Sequence, residues 1–120
     1  MTPEAQNWFK RAHDDLDAAR FNFSGAKYFV AAFLCQQAVE KALKALLIGQ
    51  TGRFPRIHDL TALAKSAKAP AKIVKLCAKI TPAYTAARYP DAPEEYSKED
   101  CEKLLGYSEE VLKWTEKNLG

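Results

Sequence analysis

Four polar side chains interrupt one long apolar stretch of the sequence at a helical spacing. The stretch FLCQQAVEKALKALLIG, residues 33–49, contains Gln37, Glu40, Lys41 and Lys44. At 100° per residue, these four positions fall within an arc of roughly 100° on one helix. Two lysines on such an arc can attract a phosphate, and the glutamine amide can donate and accept hydrogen bonds beside them. The spacing is therefore that of an anion-binding strip.

The same strip has other interpretations, and the spacing alone leaves them open. It could be a solvated face on which Glu40 and Lys44 form an i,i+4 pair worth about 0.3–0.5 kcal/mol. It could be a partly enclosed ligand site, because Val30 and Phe33 precede the arc and Ile48 follows it. It could also be a dimer interface or an internal salt-bridge network.

The composition of the whole sequence is that of an ordinary globular protein. The 120 residues are 48% hydrophobic and 28% charged, which suits one domain spanning residues 1–120. No apolar run reaches the roughly 18 residues of a membrane span, and the polar N-terminus does not resemble a signal peptide, so we expect a cytoplasmic protein. The net charge of +3 is too small to indicate nucleic-acid binding by itself, but it allows an anionic ligand.

Helix start and stop signals organise the chain, and no segment alternates with a period of two residues. We therefore predict an all-α fold, an up-down antiparallel bundle of four to five helices, with the strip on a second helix from about Lys27 to Ile48. On the first helix, the spacing of the apolar residues predicts one buried face, formed by Trp8, Ala12, Leu16, Ala19 and Phe23. The signals that set the boundaries are Thr2–Pro3, Ser24–Gly25, Gly49 with Gly52, Asp59, Pro70, Thr81–Pro82, and Ser97 with Asp100.

The cysteines and histidines do not form a metal-binding pattern. Cys35, Cys77 and Cys101 are odd in number and widely spaced, so we expect buried thiols and no disulfide framework. His13 and His58 lie far apart among scattered carboxylates. We therefore predict no metal and no cofactor.

Four blocks of sequence carry a resemblance to a known family. WFKRAHDDLDAARF, FLCQQAVEKALKALLI, HDLTALA and YTAARYPDA resemble the HEPN domain family in order and spacing. The resemblance implies a helical bundle that forms a homodimer. It also implies a minimal nucleotidyltransferase as partner, in a toxin–antitoxin or nucleotide-transfer system, and a nucleotide as ligand.

Residue chemistry and the resemblance together predict a ligand site. Lysine and arginine would neutralise phosphate, an amide and an imidazole would form hydrogen bonds, and a tyrosine would stack on a base. The predicted ligand-binding residues are Gln37, Lys41, Lys44, His58, Arg88 and Tyr89.

An enzymatic role is a second interpretation. Ribonucleases that share the HEPN domain carry an Arg-x(4–6)-His motif near a late helix, whereas Arg88 is followed by YPDAPEEY with no histidine. The spacing does occur between Arg53 and His58, but in the loop after the second helix. We therefore predict a protein with no catalytic residues. There are two alternatives. One is a metal-independent ribonuclease toxin, which would bind RNA and use His58 with Arg53 or Arg88. The other is a purely structural dimerisation module.

Overall fold

Six helices make up the regular structure in this computed structural model, which describes residues 2–91 and 96–119 apart from the side chains of Ala87 and Arg88. Four helices are long and two, α3 and α5, are short, which confirms the all-α fold. The helices are α1 Pro3–Ser24, α2 Tyr28–Thr51, α3 Leu60–Ser66, α4 Ala71–Ile80, α5 Ala83–Arg88 and α6 Lys98–Asn118.

Three predicted capping residues, Thr2, Asp59 and Ser97, begin α1, α3 and α6 as expected, whereas Thr81 ends α4 and does not cap α5. The Thr2 hydroxyl accepts a hydrogen bond from the Ala5 amide, and Ser97 and Asp100 form a reciprocal capping box before α6. The predicted end of α2 was too early, because the helix continues through Gly49 to Thr51. Gly52 ends it in the left-handed conformation, with φ of 79°, which glycine adopts without steric cost.

Helix α2 is the central element of the bundle. It contacts all five of the other helices, and the three-residue connection 25–27 folds it back antiparallel to α1. From Ala31 to Ile48 every residue is buried or partly buried. A helix that is covered all round has no solvent face. The interpretation of the strip as a solvated face is therefore wrong for Glu40 and Lys44, which are both buried.

The inner face of α1 differs from the predicted one at its two aromatic positions, because Trp8 and Phe23 are both only partly buried. Ala12, Leu16 and Ala19 are buried as expected, but the buried aromatic residue is Phe9, and Trp8 is only partly buried. Because Phe9 occupies the interface with the core, the Trp8 indole lies at its edge.

The three cysteines are free and buried, as predicted. Burial raises the pKa of the Cys35 and Cys77 thiols to about 12, so both stay protonated and unreactive at neutral pH. Over residues 2–91 and 96–119, no group of three histidine, cysteine, aspartate or glutamate side chains could hold a metal ion. None of the helices described is long and apolar enough to cross a membrane.

Candidate functional site

The centre of the strip is a buried ion pair. Lys44 Nζ lies 3.0 Å from Glu40 Oε2, and the two side chains are only 6% and 8% exposed. Removing a charge from water costs several kcal/mol per ion unless a partner of opposite charge compensates it. The predicted i,i+4 pair is therefore present, but in the interior of the protein.

His58 and Gln36 satisfy the other oxygen of the same carboxylate. Gln36 Nε2 donates to Glu40 Oε1 at 3.1 Å, and His58 Nδ1 lies 3.0 Å from that oxygen. The Gln36 amide also donates to the backbone carbonyl of His58 at 3.1 Å. We call Gln36, Glu40, Lys44 and His58 the Glu40 network. It ties the loop between α2 and α3 to the middle of α2.

The network sets the protonation state of Glu40 and orients the His58 ring. Burial raises the pKa of Glu40, but hydrogen bonds from Gln36, Lys44 and His58 outweigh burial and hold the pKa below its usual 4.5. Because an ionised carboxylate can only accept, His58 Nδ1 carries the hydrogen of this contact. In the neutral ring, Nε2 is then the acceptor, and the side chain is 50% exposed.

Helix α5 supports the imidazole from one side. The His58 ring stacks on Tyr84 with centroids 4.4 Å apart and planes 15° apart. Tyr84 in turn stacks on Phe33 of α2, at 6.2 Å between centroids. The imidazole is thus held by a carboxylate at Nδ1 and by an aromatic face.

The remaining two strip residues also have partners within the chain. Lys41 forms an ion pair with Asp15 of α1. Gln37 Nε2 donates to Gln36 Oε1 at 2.7 Å. Among the interpretations left open above, these contacts support an internal network of ion pairs and hydrogen bonds within the chain.

A cleft opens beside the Glu40 network, which we call the first cleft. Its volume is about 490 Å³. The Trp8 and Phe54 rings meet edge to face with centroids 4.8 Å apart, and Lys44 Nζ lies 5.1 Å from the Phe54 centroid. The residues that line the first cleft are Glu4, Trp8, Lys44, Phe54, Arg56 and His58.

A smaller cleft of about 240 Å³ adjoins Trp8 on the α1–α2 surface, and we call it the second cleft. It is lined by Asn7, Trp8, Arg11 and Lys41. Trp8 is the residue that both clefts share.

Only three of the six predicted ligand-binding residues are seen to line a cleft. Lys44 and His58 line the first cleft and Lys41 lines the second, whereas Gln37 and Tyr89 line neither. Tyr89 follows α5 and is 52% exposed. Arg88 ends α5, and its side chain lies outside the described part of the structure.

Sequence reasoning missed the aromatic walls and the exposed arginine. Phe54 and Arg56 belong to the loop RFPRIH, in which the prediction singled out only Arg53 and His58. Phe54 and Arg56 flank Pro55 on the way to His58, so the return of this loop to the end of α2 was the signal that could have indicated them. Trp8 carried no signal that distinguishes it from a core aromatic.

We expect the buried ion pair to show strong energetic coupling. Lys44→Met or Glu40→Gln alone should lower the free energy of unfolding by about 3–5 kcal/mol, because each leaves an uncompensated buried charge or acceptor. The double variant should lose clearly less than the sum of the two. Chemical denaturation of all four proteins measures the coupling.

The exposed pair Lys72–Glu110, 2.6 Å apart with side chains 75% and 42% exposed, is the matched control. Its coupling should not exceed about 1 kcal/mol. Equal coupling in the two pairs would contradict the account of the interior network.

The lowered pKa of Glu40 predicts an acid-dependent stability. A carboxyl whose pKa is lower in the folded state stabilises the fold above its unfolded pKa, and this contribution is lost as the pH falls through the folded pKa. The advantage of the unaltered protein over Glu40→Gln should therefore shrink as the pH falls below the usual 4.5. Urea unfolding of both proteins between about pH 5 and pH 3 tests this, and a difference that is independent of pH would contradict it.

Comparison with known proteins agrees with this architecture over nearly the whole chain. A family model described as HEPN domain matches residues 5–119. The crystal structure of an archaeal HEPN homologue is 32% identical with a TM-score of 0.85, and the match covers 100% of both chains. A comparison with curated proteins gave no match.

Two bacterial structures share the fold. A crystal structure of a protein from Thermus thermophilus has a TM-score of 0.90 at 25% identity, covering 98% of this chain and 99% of that one. A HEPN domain protein from Thermotoga maritima has a TM-score of 0.74 at 23% identity, covering 92% and 95%, and supports the fold alone. Because the family model spans almost every residue and the archaeal homologue matches throughout, the chain belongs to the HEPN domain family.

Proposed function

We propose that this chain is a non-catalytic HEPN protein that binds a nucleotide in the first cleft. The observation that supports the proposal is the composition of that cleft. Two aromatic rings, Trp8 and Phe54, meet there with an exposed arginine, Arg56, and with the oriented imidazole of His58. A nucleotide has matching parts, a flat base and a charged phosphate.

The size and charge of the cleft suit such a ligand. A volume of about 490 Å³ is within the usual range for small-molecule sites, about 300–1,000 Å³. Lys44 is already paired with Glu40, whereas Arg56 has no ion pair with the described residues. Glu4 is the acid at the rim, so the phosphate would lie on the side of Arg56, whose planar guanidinium can form two hydrogen bonds to it.

The His58 imidazole contributes recognition in this proposal. With Nδ1 held by Glu40, Nε2 of the neutral ring can accept a hydrogen bond from a ribose hydroxyl or from a base amino group. The same Glu40–His58 contact could orient a general base, as the ribonuclease alternative requires. We favour binding, because the late-helix Arg-x(4–6)-His motif is absent from the sequence.

We also propose that the protein forms a homodimer in the cytoplasm and acts with a minimal nucleotidyltransferase, in a toxin–antitoxin or nucleotide-transfer system. The family resemblance supports this partner. Exposed aromatic and aliphatic side chains at one end of the α1–α2 hairpin, Phe21, Phe29 and Val30, offer apolar surface to another chain. Three free, buried thiols suit a reducing compartment.

Isothermal titration with ATP, with and without magnesium, tests the binding site. We expect Arg56→Ala to weaken binding at least tenfold, because a hydrogen bond to a charged group is worth about 1.5–3 kcal/mol. Arg53→Ala is the matched control, since Arg53 is an exposed arginine of the same loop that does not line the cleft. Equal affinities in the two variants, or no heat with the unaltered protein, would contradict the proposal.

A further inference from the structure

We infer that the two clefts form one bipartite site, and that its ligand carries two nucleobases joined through phosphate, with one base on each side of Trp8. This inference rests on the proposed function, because it takes the first cleft as the place of one nucleotide. It adds the second cleft as the place of the other base.

The position of Trp8 makes the two clefts neighbours. Its indole is part of the lining of both. Helix α2 also contributes to both clefts, because Lys41 lines the second cleft and Lys44 lines the first. These lysines are three positions apart on the helix, a rise of about 4.5 Å. The clefts therefore follow each other along the groove between α1 and α2.

The size of the second cleft indicates that it is a subsite of a larger binding site and not an independent ligand site. Its volume of about 240 Å³ lies below the roughly 300 Å³ at which small-molecule sites begin. It is large enough for a single base but leaves little room for a whole nucleotide. Asn7, whose amide can both donate and accept, lies in its wall and can contact the polar edge of a base.

Trp8 is suited to stand between two bases. Its ring is held by the edge-to-face contact with Phe54, yet it is only partly buried because Phe9 takes the core position beside it. Stacking of a base on an aromatic side chain contributes about 1–3 kcal/mol whatever the base. Because the indole lines both clefts, it can therefore contact a base in each of them.

Each cleft also has one arginine that the protein does not use itself. Lys41 and Lys44 are paired with Asp15 and Glu40. Arg11 in the second cleft and Arg56 in the first are exposed, and neither has an ion pair with the described residues. A ligand confined to the first cleft would contact only Arg56. A phosphate-linked pair of nucleotides would engage both arginines.

Isothermal titration with four ligands tests the bipartite site: AMP, ATP, the 3′,5′-linked dinucleotide pApA, and diadenosine tetraphosphate. At least one of the two-base ligands should bind at least tenfold tighter than both AMP and ATP. ATP controls for charge, because it carries at least as much as pApA. Tighter binding of pApA would indicate the end of a nucleic acid strand, and tighter binding of diadenosine tetraphosphate a free dinucleoside polyphosphate.

The variant Arg11→Ala locates the second base. It should remove the advantage of the two-base ligand and leave AMP binding unchanged, while its neighbour Lys10→Ala, exposed on α1 and outside both clefts, should change neither. Equal affinities for one-base and two-base ligands would overturn the inference and leave the proposed function standing. A two-base advantage that survives Arg11→Ala would overturn it as well, and no binding of any ligand would overturn both proposals.

Discussion

A carboxylate in a protein interior needs a partner for each of its oxygens, and the way Glu40 obtains them determines the arrangement around it. One oxygen is paired with Lys44 from the same helix, one turn away. The other is shared by Gln36 and by His58 from the loop that follows α2. Removing any partner would leave charge or polarity buried without compensation, which costs more than a surface contact gains. The loop is therefore fixed in one position.

The fixed loop is what creates the first cleft. His58 is anchored at Nδ1, and Phe54 and Arg56 precede it in the same short segment, so all three are brought against Trp8 of α1. Helix α5 adds the Tyr84 ring behind the imidazole. A polar network that lies inside the bundle thus positions the groups that are exposed at its surface.

The basic residues divide into two sets with different tasks. Lys41 joins α2 to Asp15 of α1, and Lys44 compensates the buried charge of Glu40 within α2. Arg11 and Arg56 are exposed and retain their hydrogen-bonding capacity towards solvent or a ligand. Arginine suits this second task better, because its guanidinium is planar, always charged and able to grip a phosphate with two parallel hydrogen bonds.

The fold could be predicted from local sequence signals, namely capping residues and the spacing of apolar residues. The site could be predicted only in those parts that depend on neighbouring residues of the same helix. Caps such as Thr2 and Ser97 act within one helical turn, so their effect can be read from neighbouring residues. The strip on α2 could be placed on one side of a helix, but spacing gives a direction and does not show whether another element covers it. Glu40 therefore appeared as one of several polar side chains, and its contact with His58, 18 residues away, could not be derived. The prediction placed Trp8 on the buried face of α1, whereas the structure places Phe9 there. This is a difference of one residue, which lies within the width of an amphipathic face.

The most direct test of the account is to map the proposed ATP site residue by residue, by nuclear magnetic resonance of the isotope-labelled protein. We expect the largest chemical-shift changes at the Trp8 indole and at the His58 ring, with smaller changes along the loop between α2 and α3. A third hollow, lined by Lys79, Lys103 and Tyr107 among others, lies between α4 and α6 and serves as an internal reference. Changes concentrated there, with Trp8 and His58 unaffected, would contradict the claim that the Glu40 network builds the binding site.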